Sequence, residues 1–138
     1  MQTPSKVIMK QIINVLVVLG IVPLFLLGAV NVFAPLNTFD LYGIKPLGIM
    51  TYSTFRGAIG GMLIGGGLIM LMGLITKNKT WYQASLLLIS AILICRIISV
   101  ILDGWTNDVL PAAITELYII VVMYFASKQL VNLKNGQV

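Results

Sequence analysis

Three ionisable side chains stand inside long apolar runs of this 138-residue sequence: Arg56, Arg96 and Glu116. Asp103 follows Arg96 by seven residues, close to two helical turns, and so shares its helix face. A charge at a bilayer centre costs about 2.5–3.5 kcal/mol on insertion scales, so such residues pair, face a polar cavity or snorkel to the surface. A carboxylate between two guanidinium groups suits three tasks. It can fix helix register as a neutral network, bind an anionic head group or polar lipophile in a pocket, or load and release a proton. Arg56, the shallowest of the three, is equally suited to snorkelling.

The elements that must hold these groups are membrane spans. Apolar residues make up 59% of the chain and charged residues 9%, with a mean hydropathy of +1.01, a composition that cannot coat a globule in water. At about 20 residues per crossing the length accommodates roughly four helices. The runs predict helices over about 12–30, 48–75, 82–102 and 109–126, joined into an up-down four-helix bundle forming a single domain. A cleaved leader is a weaker reading of the first run, which exceeds the 7–15 residues of a signal-peptide apolar region. Pro23 predicts a kink in helix 1.

The stretch 31–47 mixes Pro35, Asp40, Gly43, Lys45 and Pro46 with apolar residues and predicts an interfacial loop or short helix. Phe33, Phe39, Tyr42 and Tyr52 would anchor it in the head-group region. Asp103 to Asp108 would form the turn of a helix 3–4 hairpin, with Pro111 in the first turn of helix 4.

The net charge of +5 is a topology signal, with no aromatic-interleaved basic patch to receive a nucleic acid. Lys6, Lys10, Lys77, Lys79, Lys128 and Lys134 occupy both terminal segments and the turn between helices 2 and 3, which places both termini in the cytoplasm. Trp81, Tyr82 and Tyr124 would then mark the inner boundary, and Tyr42, Tyr52 and Trp105 the outer one. At 1.5 Å per residue, Arg56 lies about 31 Å above Lys77, Arg96 about 25 Å above Lys79 and Glu116 about 18 Å above Lys128. All three fall in the outer half. Because the hairpin makes helices 3 and 4 neighbours, Arg96 and Glu116 are the expected ion pair, with Asp103 above them.

Helix 2 carries RGAIGGMLIGGG, where Gly57, Gly61 and Gly65 recur every fourth residue as a surface for close helix packing. Their partner is helix 1, helix 4 or another copy of the chain. No Lys-Ser/Thr follows, so a phosphate-binding loop is disfavoured. Cys95 reads as a small packing residue and the methionines as fillers of an apolar interior. With no histidine and one cysteine, the usual proton shuttle and the commonest metal ligands are missing, and no cofactor or metal site is expected.

Arg56-Gly57 opening the glycine-rich helix, Arg96 followed by Asp103-Gly104, and Glu116 in the last helix together resemble an uncharacterised bacterial family of small four-span proteins. It is the domain of unknown function 4345, of the DoxX-like group, and the resemblance covers roughly Thr51 to Leu130. It implies a four-helix membrane bundle in which these charges belong to a shared design, and it supplies no activity. The quinone-dependent or thiol-redox partners of DoxX-like relatives would call for a cysteine pair that this chain lacks.

Three functions compete on these residues. The first is a binding or accessory protein of the bacterial inner membrane. It would hold a lipid or lipophilic small molecule, or a partner's span, in an outward-facing cavity lined by Arg56, Arg96, Glu116 and Asp103. The second is a proton-coupled or oligomeric transporter using Glu116. Beneath Glu116, however, Ile119, Ile120, Met123, Ile92 and Ile89 leave Ser85 as the one polar step inward. The third, an enzyme acting on lipids, lacks a second catalytic group unless Asp103 serves.

Overall fold

In the computed structural model the backbone is described for residues 4–107 and 109–135, and side chains for 7–107 and 109–130. The expectations for Lys6, Lys134 and Asp108 therefore lie outside the described side chains. Every regular element is helical. Helix α1 spans Pro4–Phe33 and runs on through Pro23, and α2 spans Pro35–Tyr42. Helix α3 (Ile49–Thr54) passes through a π turn (Phe55–Gly60) into α4 (Gly61–Thr76). Helices α5 (Lys79–Asp103) and α6 (Val109–Asn135) complete the chain.

Four stretches are long and apolar enough to cross a membrane: Val7–Phe33, Ile49–Thr76, Lys79–Asp103 and Val109–Leu130. Leu19, Leu26, Leu87, Ile101 and Phe125 lie exposed along them, which water would penalise and lipid does not. The chain thus has the make-up of a multi-pass membrane protein.

The connections are set by local chemistry. Pro35 opens α2, where its missing N–H costs no helical bond. Gly43 closes it at φ 63°, and the Ile44 N–H donates to Phe39 O at 2.8 Å in a 6→1 cap. Only Lys77 and Asn78 separate α4 from α5. Lys77 takes a left-handed φ of 52°, and Asn78 Oδ1 accepts the Thr80 N–H at 3.0 Å as the N-cap of α5. Pro111 falls in the first turn of α6, as expected.

Two compact units divide the chain, residues 1–20 with 69–138 and residues 21–68. The core of the first unit draws on the beginning of α1, the end of α4, and α5 and α6. Val17, Met70, Ile119, Met123 and Ser85 are fully buried there. Close approach depends on glycine. A Cβ at Gly20 would stand 2.9 Å from the Met70 methyl, and one at Gly73 would stand 2.6 Å from the Tyr82 ring. Tyr82, expected at the inner boundary, is consequently buried against Gly73. Trp81 and Tyr124 stay exposed, with Lys128 Nζ 4.8 Å from the Tyr124 ring centre. The Tyr118 hydroxyl donates to Leu16 O at 2.8 Å, joining α6 to α1.

In the second unit, Phe39 is 1% exposed and packs edge-on against Tyr52 and Phe55, with ring centres 5.3 and 4.6 Å away. It therefore clamps α2 onto α3 and does not face the head groups, whereas Phe33 and Tyr42 are exposed as expected. Helix α1 meets the π turn and α4 almost backbone to backbone. A Cβ at Gly60 would reach Val32 Cγ2 at 2.7 Å and Gly28 O at 3.2 Å, and one at Gly67 would press on the Phe25 ring.

The Gly57, Gly61 and Gly65 stripe meets no partner helix. Cβ atoms at Gly57 and Gly65 would have nothing within 4 Å, and one at Gly61 only Arg56 O at 3.9 Å. Arg56 and Gly57 line the same groove, so turning that stripe onto α1 would bury an uncompensated guanidinium. The uncharged face bearing Gly60 and Gly67 packs instead. Cys95 is exposed on α5 and is not a packing residue. Of the methionines, Met70 and Met123 fill the interior, while Met9, Met50, Met62 and Met72 are exposed.

Candidate functional site

Arg96 and Glu116 sit at one level because the α5–α6 hairpin puts them there. Arg96 lies seven residues before the end of α5 and Glu116 seven residues after the start of α6, each about 10 Å from the hairpin end. Counting from the inner lysines gave them unequal depths, because α5 begins at Lys79 whereas α6 runs on past Lys128.

The contact is a forked ion pair. Arg96 Nε donates to both carboxylate oxygens of Glu116 at 3.0 Å, and Nη2 donates to Oε1 at 2.6 Å. The Glu116 side chain is 11% exposed and that of Arg96 31%. The carboxylate is thus enclosed, while part of the Arg96 side chain reaches the protein surface. Such charge-assisted, planar pairing neutralises both groups where lipid would penalise either alone.

Arg96 also borders a groove of about 150 Å³, together with Leu93, Ile97, Val100, Trp105 and Ala113 from α5, the turn and α6. The exposed wall is apolar, the part contributed by Arg96 included, and Trp105 stands exposed at the hairpin end. This volume is half the lower end of the roughly 300–1,000 Å³ range of small-molecule pockets. From Glu116 toward the end of α6, and from Arg96 toward the start of α5, the buried residues are Ile119, Val122, Met123, Ala126 and Ser127 on α6 and Ile89, Ser85 and Tyr82 on α5. Ser85 is fully buried there, and its Oγ has no hydrogen-bond partner.

The other two expected site residues take different roles. Asp103, the last residue of α5, accepts a hydrogen bond from Ser99 Oγ at 2.9 Å, one turn back on its own exposed face. Arg56 stands on the π turn of the second unit, exposed, beside Tyr52, Ser53 and Gly57. Its neighbours were missed as site residues, although the three- and four-residue spacing of Ile49, Tyr52, Ser53, Arg56 and Gly57 puts them on one helix face. Trp105 was read as a boundary marker and borders the Arg96 groove as well. Among the described residues no group of three or more His, Cys, Asp or Glu is placed to hold a metal ion.

No curated protein and no solved structure matches the chain. A family model does match, over residues 12–127, and it takes in most of α1, which lies outside the stretch that carried the resemblance, along with the paired charges of α5 and α6. With most of its length inside that match, the chain belongs to the family described as Domain of unknown function (DUF4345).

Proposed function

We propose that this protein is a small binding or accessory protein of a membrane. It holds one chain of a lipid or lipophilic molecule in the α5–α6 groove, with the Arg96–Glu116 pair at the polar end. One observation carries this reading: Arg96, neutralised by an enclosed carboxylate and itself part-exposed, borders a groove whose exposed wall is wholly apolar. A pair serving register alone has no need of an open side. Asp103 and Arg56 are further polar contacts for bound lipid, each on its own exposed face.

The spans run up and down with both termini in the cytoplasm, a reading supported by the lysines of the terminal segments and of the α4–α5 turn. The bacterial inner membrane and the DoxX-like grouping rest on the sequence resemblance. The apolar core around Ile119 and Met123 favours this reading over proton-coupled transport through Glu116.

Native mass spectrometry of the purified protein tests it. The wild type is expected to retain a lipid or lipophile. Ile97→Trp, which fills the groove without touching the pair, is expected to release it while the helical circular dichroism is unchanged. Equal retention by the wild type and Ile97→Trp would overturn the proposal.

A further inference from the structure

The face of α3 and the π turn that carries Arg56 forms an open groove of about 430 Å³. It is lined by Ile49, Tyr52, Ser53, Arg56 and Gly57. Among the described residues the Arg56 side chain has neither an ion pair nor a hydrogen bond, although it stands within the apolar stretch Ile49–Thr76. Side chains on a helix lean toward its N-terminus. Arg56 therefore extends past Ser53 and Tyr52 toward Ile49, about 10 Å along the axis, where the span begins. One arginine and two hydroxyl-bearing residues thus line a single groove near the beginning of the span.

Two further features identify the ligand. Within residues 21–68 the charged groups are Asp40, Lys45 and Arg56, so two positive charges against one negative leave a net +1. Past Arg56 toward Thr76, Gly57, Gly61 and Gly65 present bare backbone that, among the described residues, no other helix covers closely. A smooth apolar track below a cationic, hydroxyl-bearing mouth matches a molecule with an anionic head and a long tail. Gly61 N–H bonds back five residues to Arg56 O, so the π turn lies directly beneath the guanidinium, the kind of local irregularity that recurs at functional sites.

We propose that this face binds an anionic phospholipid. Arg56 takes two phosphate oxygens with its fork, Ser53 and Tyr52 donate their hydroxyls to the same head group, and an acyl chain lies along Gly57, Gly61 and Gly65. The site requires neither Arg96 nor Glu116.

The full-length protein, delipidated in a non-ionic detergent and titrated with phosphatidylglycerol under native mass spectrometry, tests the inference. Phosphatidylcholine, diacylglycerol and inorganic phosphate serve as the comparison arms. Phosphatidylglycerol is expected to be retained over phosphatidylcholine, and diacylglycerol hardly at all. Arg56→Gln is expected to weaken phosphatidylglycerol retention about tenfold, with Arg56→Lys recovering only part, because a point charge lacks the planar fork. The lipid titrations are run in the Ile97→Trp background, where the α5–α6 groove is filled, so that retention reports the Arg56 face alone. Equal retention with and without Arg56→Gln in that background would overturn the proposal. So would full recovery in Arg56→Lys, or displacement of the lipid by equimolar inorganic phosphate, which would assign the site to a free anion. Should Arg56→Gln not fold, the Tyr52→Phe, Ser53→Ala double variant decides: reduced retention supports the site and unchanged retention overturns it.

Discussion

Removing Glu116 should destabilise the protein far more than removing Glu116 and Arg96 together. In Glu116→Leu the Arg96 guanidinium loses three charge-assisted hydrogen bonds about 10 Å from the hairpin end, within a stretch apolar enough to cross a membrane. Breaking a buried pair by removing one partner costs about 3–5 kcal/mol, whereas replacing both with apolar residues is often neutral. Arg96 is 31% exposed and can turn outward to recover part of that loss, so a single-variant cost of about 2–3 kcal/mol is expected. The Arg96→Leu, Glu116→Leu double variant should then cost about 1 kcal/mol or less, which yields a coupling of about 1.5–3 kcal/mol. Reversible unfolding in mixed micelles, followed by circular dichroism for the wild type, both single variants and the double variant, gives that coupling directly. Neutral interhelical hydrogen bonds in membrane proteins average about 0.6 kcal/mol by the same method. A coupling at or below that value would refute the view that the forked ion pair governs this hairpin.

Two further substitutions probe the packing in the same assay. Gly60→Leu would drive a side chain into Val32 and the Gly28 backbone and should cost more than about 3 kcal/mol, while Gly65→Leu, which meets open space, should change stability by less than about 0.5 kcal/mol. Ser85→Ala removes a fully buried hydroxyl that has no partner and should raise stability by about 1 kcal/mol; a loss of that size would show that the hydroxyl is satisfied in the membrane.

The spans were legible because lipid demands long unbroken apolar runs, and the four stretches from Val7, Ile49, Lys79 and Val109 stand out on length and hydropathy alone. The Arg96–Glu116 contact was legible for a related reason. A short turn equalises the distances of two residues from the hairpin end, and so brings Arg96 of one helix level with Glu116 of the other. Which glycine face turns inward was not legible from spacing. Gly57-Gly61-Gly65 and Gly60-Gly67 both recur at helical intervals, and the choice depends on where Phe25 and Val32 stand and on keeping Arg56 outside. The aromatic anchors failed selectively. Phe39 and Tyr82 have the same composition signal as Phe33 and Trp81, but each meets a complementary surface, the Tyr52 and Phe55 rings or the bare backbone of Gly73. Asp103 was read as topping the Arg96 stripe by its seven-residue interval, yet a nearer hydroxyl, Ser99 on the preceding turn, takes its carboxylate.

The joint at Lys77 and Asn78 also bears on biogenesis. A connection of two residues, one already in a left-handed conformation, leaves no slack for α4 to settle in the bilayer before α5 arrives. So short a joint favours entry of the two segments into a membrane as one hairpin, with the Tyr82 ring laid against Gly73.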